Sequence, residues 1–229
     1  MKTIVLLILT FISLKTFSQK EKQPMDWPNL KKYAQENQDL ATINDEGRVV
    51  FMGNSITELW KNIDSSFFQN KPYVNRGIGG QTTSQMLLRF RQDVINLKPE
   101  IVVILAGIND IAENTGPISL ENIFGNIVSM AELAKVNNIK VVLSSVLPAN
   151  KFPWRPDLQP AEKVAQLNAM IKKYCQENNN IYIDYYSKML DNQKGLDIKF
   201  TNDGVHPTLA GYKIMEPLLE EAITKTRDN

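Results

Sequence analysis

The 229-residue chain has one cysteine, Cys175, and one histidine, His206. A lone cysteine excludes an intramolecular disulfide, and none follows the N-terminal apolar stretch to accept a lipid. With so few soft ligands, a zinc or haem site built from His and Cys is excluded too, and no acidic loop has the spacing of a calcium site. No metal or cofactor is therefore expected. Neither sign of charge dominates: 26 Lys and Arg stand against 25 Asp and Glu. That balance argues against nucleic acid or an anionic membrane surface as a partner. No apolar run is long enough to span a bilayer. There is no interior low-complexity tract, no repeat and no linker.

The longest apolar run, Ile4–Leu14, follows Lys2 and precedes the small residues Thr16 and Ser18. This is the pattern of a secretory signal peptide over residues 1–18. Its removal would leave a single domain over 19–229, secreted or periplasmic, with no stable membrane insertion after cleavage. An uncleaved anchor is the alternative. At 43% hydrophobic and 22% charged, the chain has the composition of a globular domain with a full core.

Five short apolar, β-branched runs read as strands: Val49–Met52, Tyr73–Asn75, Ile101–Ala106, Ile139–Val146 and Ile181–Asp184. Helix-length amphipathic segments separate most of them. Pro24–Ile43 reads as polar and helical, with Trp27, Leu30, Tyr33 and Leu40 as its buried contacts. A second helix follows Thr82 or Thr83, and others cover 120–137, 161–177 and 209–223. Strands joined by helices mean βαβ units and a parallel sheet. The expected fold is an α/β three-layer sandwich with a five-stranded parallel sheet.

Ligands of such sheets bind beyond the carboxyl ends of the strands. Ser55, Gly80, Asn109 and the loop Pro148–Pro156 all follow a strand end and should share one edge. Ser55 stands where the first strand turns through Gly53-Asn54 into a helix. That placement suits a nucleophile beside free N–H groups, and it equally suits an N-cap. His206, in Asp203-Gly204-Val205-His206, has an acid three residues away to orient it as a base; a structural histidine is the competing reading. Gly80 and Asn109 are candidate oxyanion donors by type, or turn and cap residues.

Four segments together resemble the blocks of the SGNH, or GDSL-type, serine hydrolases. These are Gly53-Asn54-Ser55-Ile56-Thr57, Asn75-Arg76-Gly77-Ile78-Gly79-Gly80, Gly107-Ile108-Asn109-Asp110 and Asp203-Gly204-Val205-His206, in the family's order. The first, with Trp60 nearby, looks most like the platelet-activating-factor acetylhydrolase-like branch. The resemblance implies a flavodoxin-like carboxylic-ester hydrolase. Ser55 would be nucleophile, His206 general acid–base and Asp203 its orienting carboxylate, with Ser55, Gly80 and Asn109 forming the oxyanion hole. Asn54 replaces the aspartate of the GDSL signature. The implied substrate is an acetyl or other short-acyl ester of a carbohydrate or small molecule, with Asn54, Trp154 and Arg155 as candidate substrate contacts. Packing of the loop is the competing role for Trp154. A lysophospholipase or acyl thioesterase is the nearest rival, and a non-catalytic glycan-binding module is the rival of another class. A nucleotide cradle at Gly77–Gly80 lacks both a Walker lysine and a G-x-G-x-x-G pattern.

Overall fold

The computed structural model describes residues 25–43 and 46–228, so the expected signal at 1–18 lies outside the described residues. The five apolar runs form β1 (Val49–Gly53), β2 (Tyr73–Gly77), β3 (Ile101–Leu105), β4 (Lys140–Ser144) and β5 (Ile181–Ile183). They pair in parallel in the order β2-β1-β3-β4-β5. β1 and β3 are buried at every position. That explains why they read as unbroken apolar runs, for a strand covered on both faces has no solvent side to alternate toward.

Helices α4 (Thr83–Asp93), α6 (Leu120–Lys135) and α7 (Ala161–Glu177) pack in series on one face. On the other, α2 (Ser55–Ile63) meets α9 (Leu209–Asp228) through Trp60 and Tyr212, whose rings stack at 5.0 Å. Short helices α3 (Ser65–Phe68), α5 (Ile108–Ile111) and α8 (Tyr185–Met189) fill connections. The three-layer parallel sandwich is as expected. Among the described residues no helix is long and apolar enough to cross a membrane.

The N-terminal segment departs from its expected packing. Its helix, α1, covers only Ala34–Ala41. Trp27 and Leu30 are exposed, not buried. The segment is held instead by polar contacts: Gln81, Gln85 and Gln92 donate side-chain amides to the carbonyls of Pro28, Trp27 and Leu30. Residues 26–41 thus form a strap over α4, gripped by its backbone.

The sheet order reverses direction between β1 and β3. At such a switch point the loops leaving two adjacent strands diverge and open a crevice. Ser55 begins α2 directly after β1, and Asn109 lies in α5 after β3. Gly107 makes the second exit, with φ +120°, and a Cβ there would lie 2.7 Å from Leu167. Only glycine both takes that dihedral and leaves that space.

Candidate active site

Ser55 opens α2, and the Asn54 side chain caps it by accepting from Ile56 N at 2.9 Å. The Ser55 backbone N–H therefore belongs to the first turn, whose amides have no partner within the helix. Ser55 Oγ lies 2.9 Å from His206 Nε2. His206 Nδ1 lies 2.7 Å from Asp203 Oδ2. With the Nδ1 proton donated to that carboxylate, Nε2 is left to accept from the serine hydroxyl.

The Asp203 carboxylate is itself fixed. Its Oδ1 accepts from the backbone of Val205 at 2.9 Å and of His206 at 2.8 Å. Thr201 Oγ1 donates to the same oxygen at 3.2 Å. Partial burial pulls the Asp203 pKa upward, but the backbone amides and the imidazole outweigh it and hold the group at about 2. Asp203 is thus ionised over the whole neutral range.

The loop after β2 carries Gly80, whose φ of +74° faces open space. The next residue, Gln81, accepts from Asn109 Nδ2 through its carbonyl at 3.0 Å. A primary amide has two hydrogens, so this contact occupies one and leaves the other. Buried Asp110 anchors the same region by accepting from Thr83 N at 2.9 Å and Thr83 Oγ1 at 2.6 Å. Burial pushes Asp110 up to about 6, against the pull of those bonds.

The remaining candidates fall differently. Asn54 is fully buried, and its carbonyl oxygen is committed to the cap. Arg155 donates to the Ala112 carbonyl at 3.2 Å and pairs with Glu113 and Asp157. It pins its loop. Trp154 is 43% exposed, stacks on Phe152 at 5.3 Å and lies 6.3 Å from the His206 ring. The ring thus packs on its own loop and borders the histidine.

Sequence reasoning passed over Arg89, Tyr212 and Glu58. Tyr212 Oη donates to the Ile56 carbonyl at 2.7 Å, and Glu58 accepts from Gly79 N at 2.6 Å. Arg89 is entirely buried and donates to Gly53 O, two residues before the serine. Its signal was present: Arg89 and Asp93 lie on the same helical stripe as Met86 and Phe90, where polar residues have no solvent to face. Among the described residues no group of three or more His, Cys, Asp or Glu side chains is placed to hold a metal ion.

Residues 51–214 match the GDSL-like Lipase/Acylhydrolase family. The chain belongs to that family. Membership places it among carboxylic-ester hydrolases. A GDSL-like lipase of known structure from Bacteroides thetaiotaomicron is 53% identical, covers 87% of this chain and 99% of its own, and superposes with a TM-score of 0.85. An acetylxylan esterase from Geobacillus stearothermophilus is 26% identical over 62% of this chain and 67% of its own length. The uncharacterized lipoprotein YqeF of Bacillus subtilis is 37% identical, but the match spans 34% of each chain. The platelet-activating-factor branch gains support at the level of fold alone. The Streptococcus pneumonia structure named for that factor is 21% identical over 85% of this chain and 92% of its own, with a TM-score of 0.71.

Proposed function

We propose that this hydrolase removes acetyl or another short acyl group from a carbohydrate or small-molecule ester, through an acyl-enzyme on Ser55. The observation that carries the reading is the unbroken relay from Ser55 Oγ to His206 at 2.9 Å and on to Asp203 at 2.7 Å. Ser55 Oγ attacks the ester carbonyl carbon while its proton passes to His206 Nε2. The carbonyl oxygen becomes an oxyanion, held by the N–H groups of Ser55 and Gly80 and the free hydrogen of Asn109 Nδ2. As the intermediate collapses, the carbon–oxygen bond to the alcohol breaks and His206 returns the proton to the departing oxygen. Water then gives a proton to His206 and its oxygen to the acyl carbon; as the bond from that carbon to Ser55 Oγ breaks, His206 returns the proton to Oγ and the acid is released. Asp203 stays ionised throughout and stabilises the imidazolium.

The alcohol departs on the His206 side, because His206 must protonate it. Trp154 offers an exposed aromatic face there. A cleft of about 900 Å³ lies beside the Asp203 loop, between residues 150–156 and 190–204. Asn150, Asn192, Gln193 and Asn202 line it beside Phe152 and Leu196. A cleft rich in side-chain amides suits a polyhydroxyl alcohol better than an acyl tail. The acetylxylan esterase relative points the same way. We read the chain as exported, on the signal pattern of residues 1–18.

Turnover of p-nitrophenyl esters from acetyl to palmitoyl, alongside release of acetate from acetylated xylo-oligosaccharides, tests the substrate. Rates that peak at acetyl, with acetate released from the oligosaccharide, support the reading. A peak at long chains moves the substrate to a lysophospholipid or acyl thioester. No turnover of any ester, with sugar binding retained, favours a glycan-binding module.

A further inference from the structure

The guanidinium of Arg89 binds three separate pieces of the protein at once. Nε donates to Gln81 Oε1 at 2.6 Å, Nη1 to Asp93 Oδ2 at 2.9 Å and Nη2 to the Gly53 carbonyl at 3.0 Å. Gly53 ends β1, one residue short of Asn54 and two short of Ser55. Gln81 follows Gly80, and its own carbonyl holds Asn109 Nδ2 at 3.0 Å. One planar fork, with five N–H donors in fixed directions, therefore touches the support of every group assigned above to the oxyanion.

The fork is in turn held from outside. Asn37 of the strap donates to Asp93 Oδ1 at 2.6 Å and accepts from Arg76 Nε at 2.9 Å. Gln81 donates its remaining amide to Pro28 O at 2.7 Å. Arg89 and Asp93 are 0% and 1% exposed. A core of this volume is filled more simply by apolar side chains, and a buried ion pair adds little net stability over them. Its geometry has another use.

We infer that Arg89 is a positioning residue, which sets the spacing between Ser55 and the oxyanion donors by cross-bracing Gly53 to Gln81, with the strap locking the brace through Asn37. The inference rests on the hydrolase reading above and deepens it. The brace acts on the tetrahedral state and not on ground-state binding, because a shift of a fraction of an ångström misplaces donors aimed at the oxyanion. Lysine retains the charge toward Asp93 but lacks the fork, so it cannot hold Gly53 and Gln81 together.

The test compares wild type, Arg89→Lys and Gln81→Met for kcat and KM on p-nitrophenyl acetate and for the Kd of methylboronic acid, which forms a tetrahedral adduct with a serine Oγ. In Arg89→Lys, kcat should fall roughly a hundredfold with KM nearly unchanged, and boronate affinity should fall by a similar factor. Gln81→Met leaves the fork on Gly53 and Asp93, so it carries the test even where Arg89→Lys does not fold; about a tenfold fall in both readouts is expected. Wild-type kcat in a folded variant, or a lower kcat with unchanged boronate affinity, overturns the brace. A wild type that neither hydrolyses the ester nor binds the boronate overturns the hydrolase reading itself.

Discussion

Tyr212 Oη donates to the carbonyl of Ile56 at 2.7 Å, joining the helix that follows His206 to the helix that begins at Ser55. The bond is buried, and the Tyr212 ring also stacks on Trp60 of the same helix. Serine and histidine lie 151 residues apart in the chain, so their 2.9 Å contact depends on how α2 and α9 seat together. Tyr212→Phe keeps the ring stack and deletes only the hydrogen bond. It should cost about 1 kcal/mol of stability by urea unfolding. A several-fold loss of kcat at saturating ester should accompany it.

Removing the proton relay should be far more damaging than loosening it. Ser55→Ala and His206→Ala are each expected to lower kcat by about four orders of magnitude. The double variant should be little worse than either single one, because the two groups act as a unit. Steady-state kinetics on p-nitrophenyl acetate, with circular dichroism to verify folding, reads this out.

Asn109→Ala should lower kcat by roughly a hundred- to a thousandfold with a smaller change in KM, as expected for a donor used mainly in the transition state. The variant also frees the Gln81 carbonyl from its 3.0 Å partner, so Asn109→Asp is a useful companion. It keeps the shape, removes the donor and adds repulsion toward an oxyanion. Turnover near wild type in either variant would remove Asn109 from the oxyanion hole.

Two carboxylates give stability opposite pH dependences. Asp203 is held at about 2, below its ordinary value of 3.8. Its contribution is present above pH 3.8 and is lost as pH falls through 2. Asp110 is raised from 3.8 to about 6 by burial. Its contribution is complete below pH 3.8 and is lost as pH rises through 6. Asp110→Asn should therefore remove a component of stability loss between pH 4 and 6, visible as a flatter urea midpoint across that range. An unchanged midpoint profile would mean that the Thr83 bonds offset the burial of the charge.

The sheet was legible because β1 and β3 are buried on both faces, which leaves an apolar run with no other explanation. The placement of Ser55, Gly80, Asn109 and the 148–156 loop was legible because each follows a strand end, and parallel strands bring their carboxyl ends to one edge; Asp203 and His206 were legible only through their own D-x-x-H spacing. What escaped depends on partners distant in sequence. Asn54 reads as a substrate contact by type, while the fold buries it and uses its oxygen to cap α2. Arg155 was placed on the right loop, but its charge is taken by Glu113 and Asp157. Trp27 and Leu30 look like core residues by type. Glutamines 58 and 62 residues later in the chain take hold of their carbonyls and leave the side chains outside. Arg89 shows the same limit from the other side: a charged residue on an apolar stripe signals a buried partner without saying which.

The central claim is an acyl-enzyme on Ser55, and intact-protein mass spectrometry after reaction with an alkyl fluorophosphonate tests it most directly. The reagent should add once, displacing fluoride, and peptide mapping should place the phosphonyl group on Ser55. Ser55→Ala should remain unmodified, and prior incubation with p-nitrophenyl acetate should slow the labelling of wild type. A label on another residue, or an active enzyme that takes none, would contradict the account.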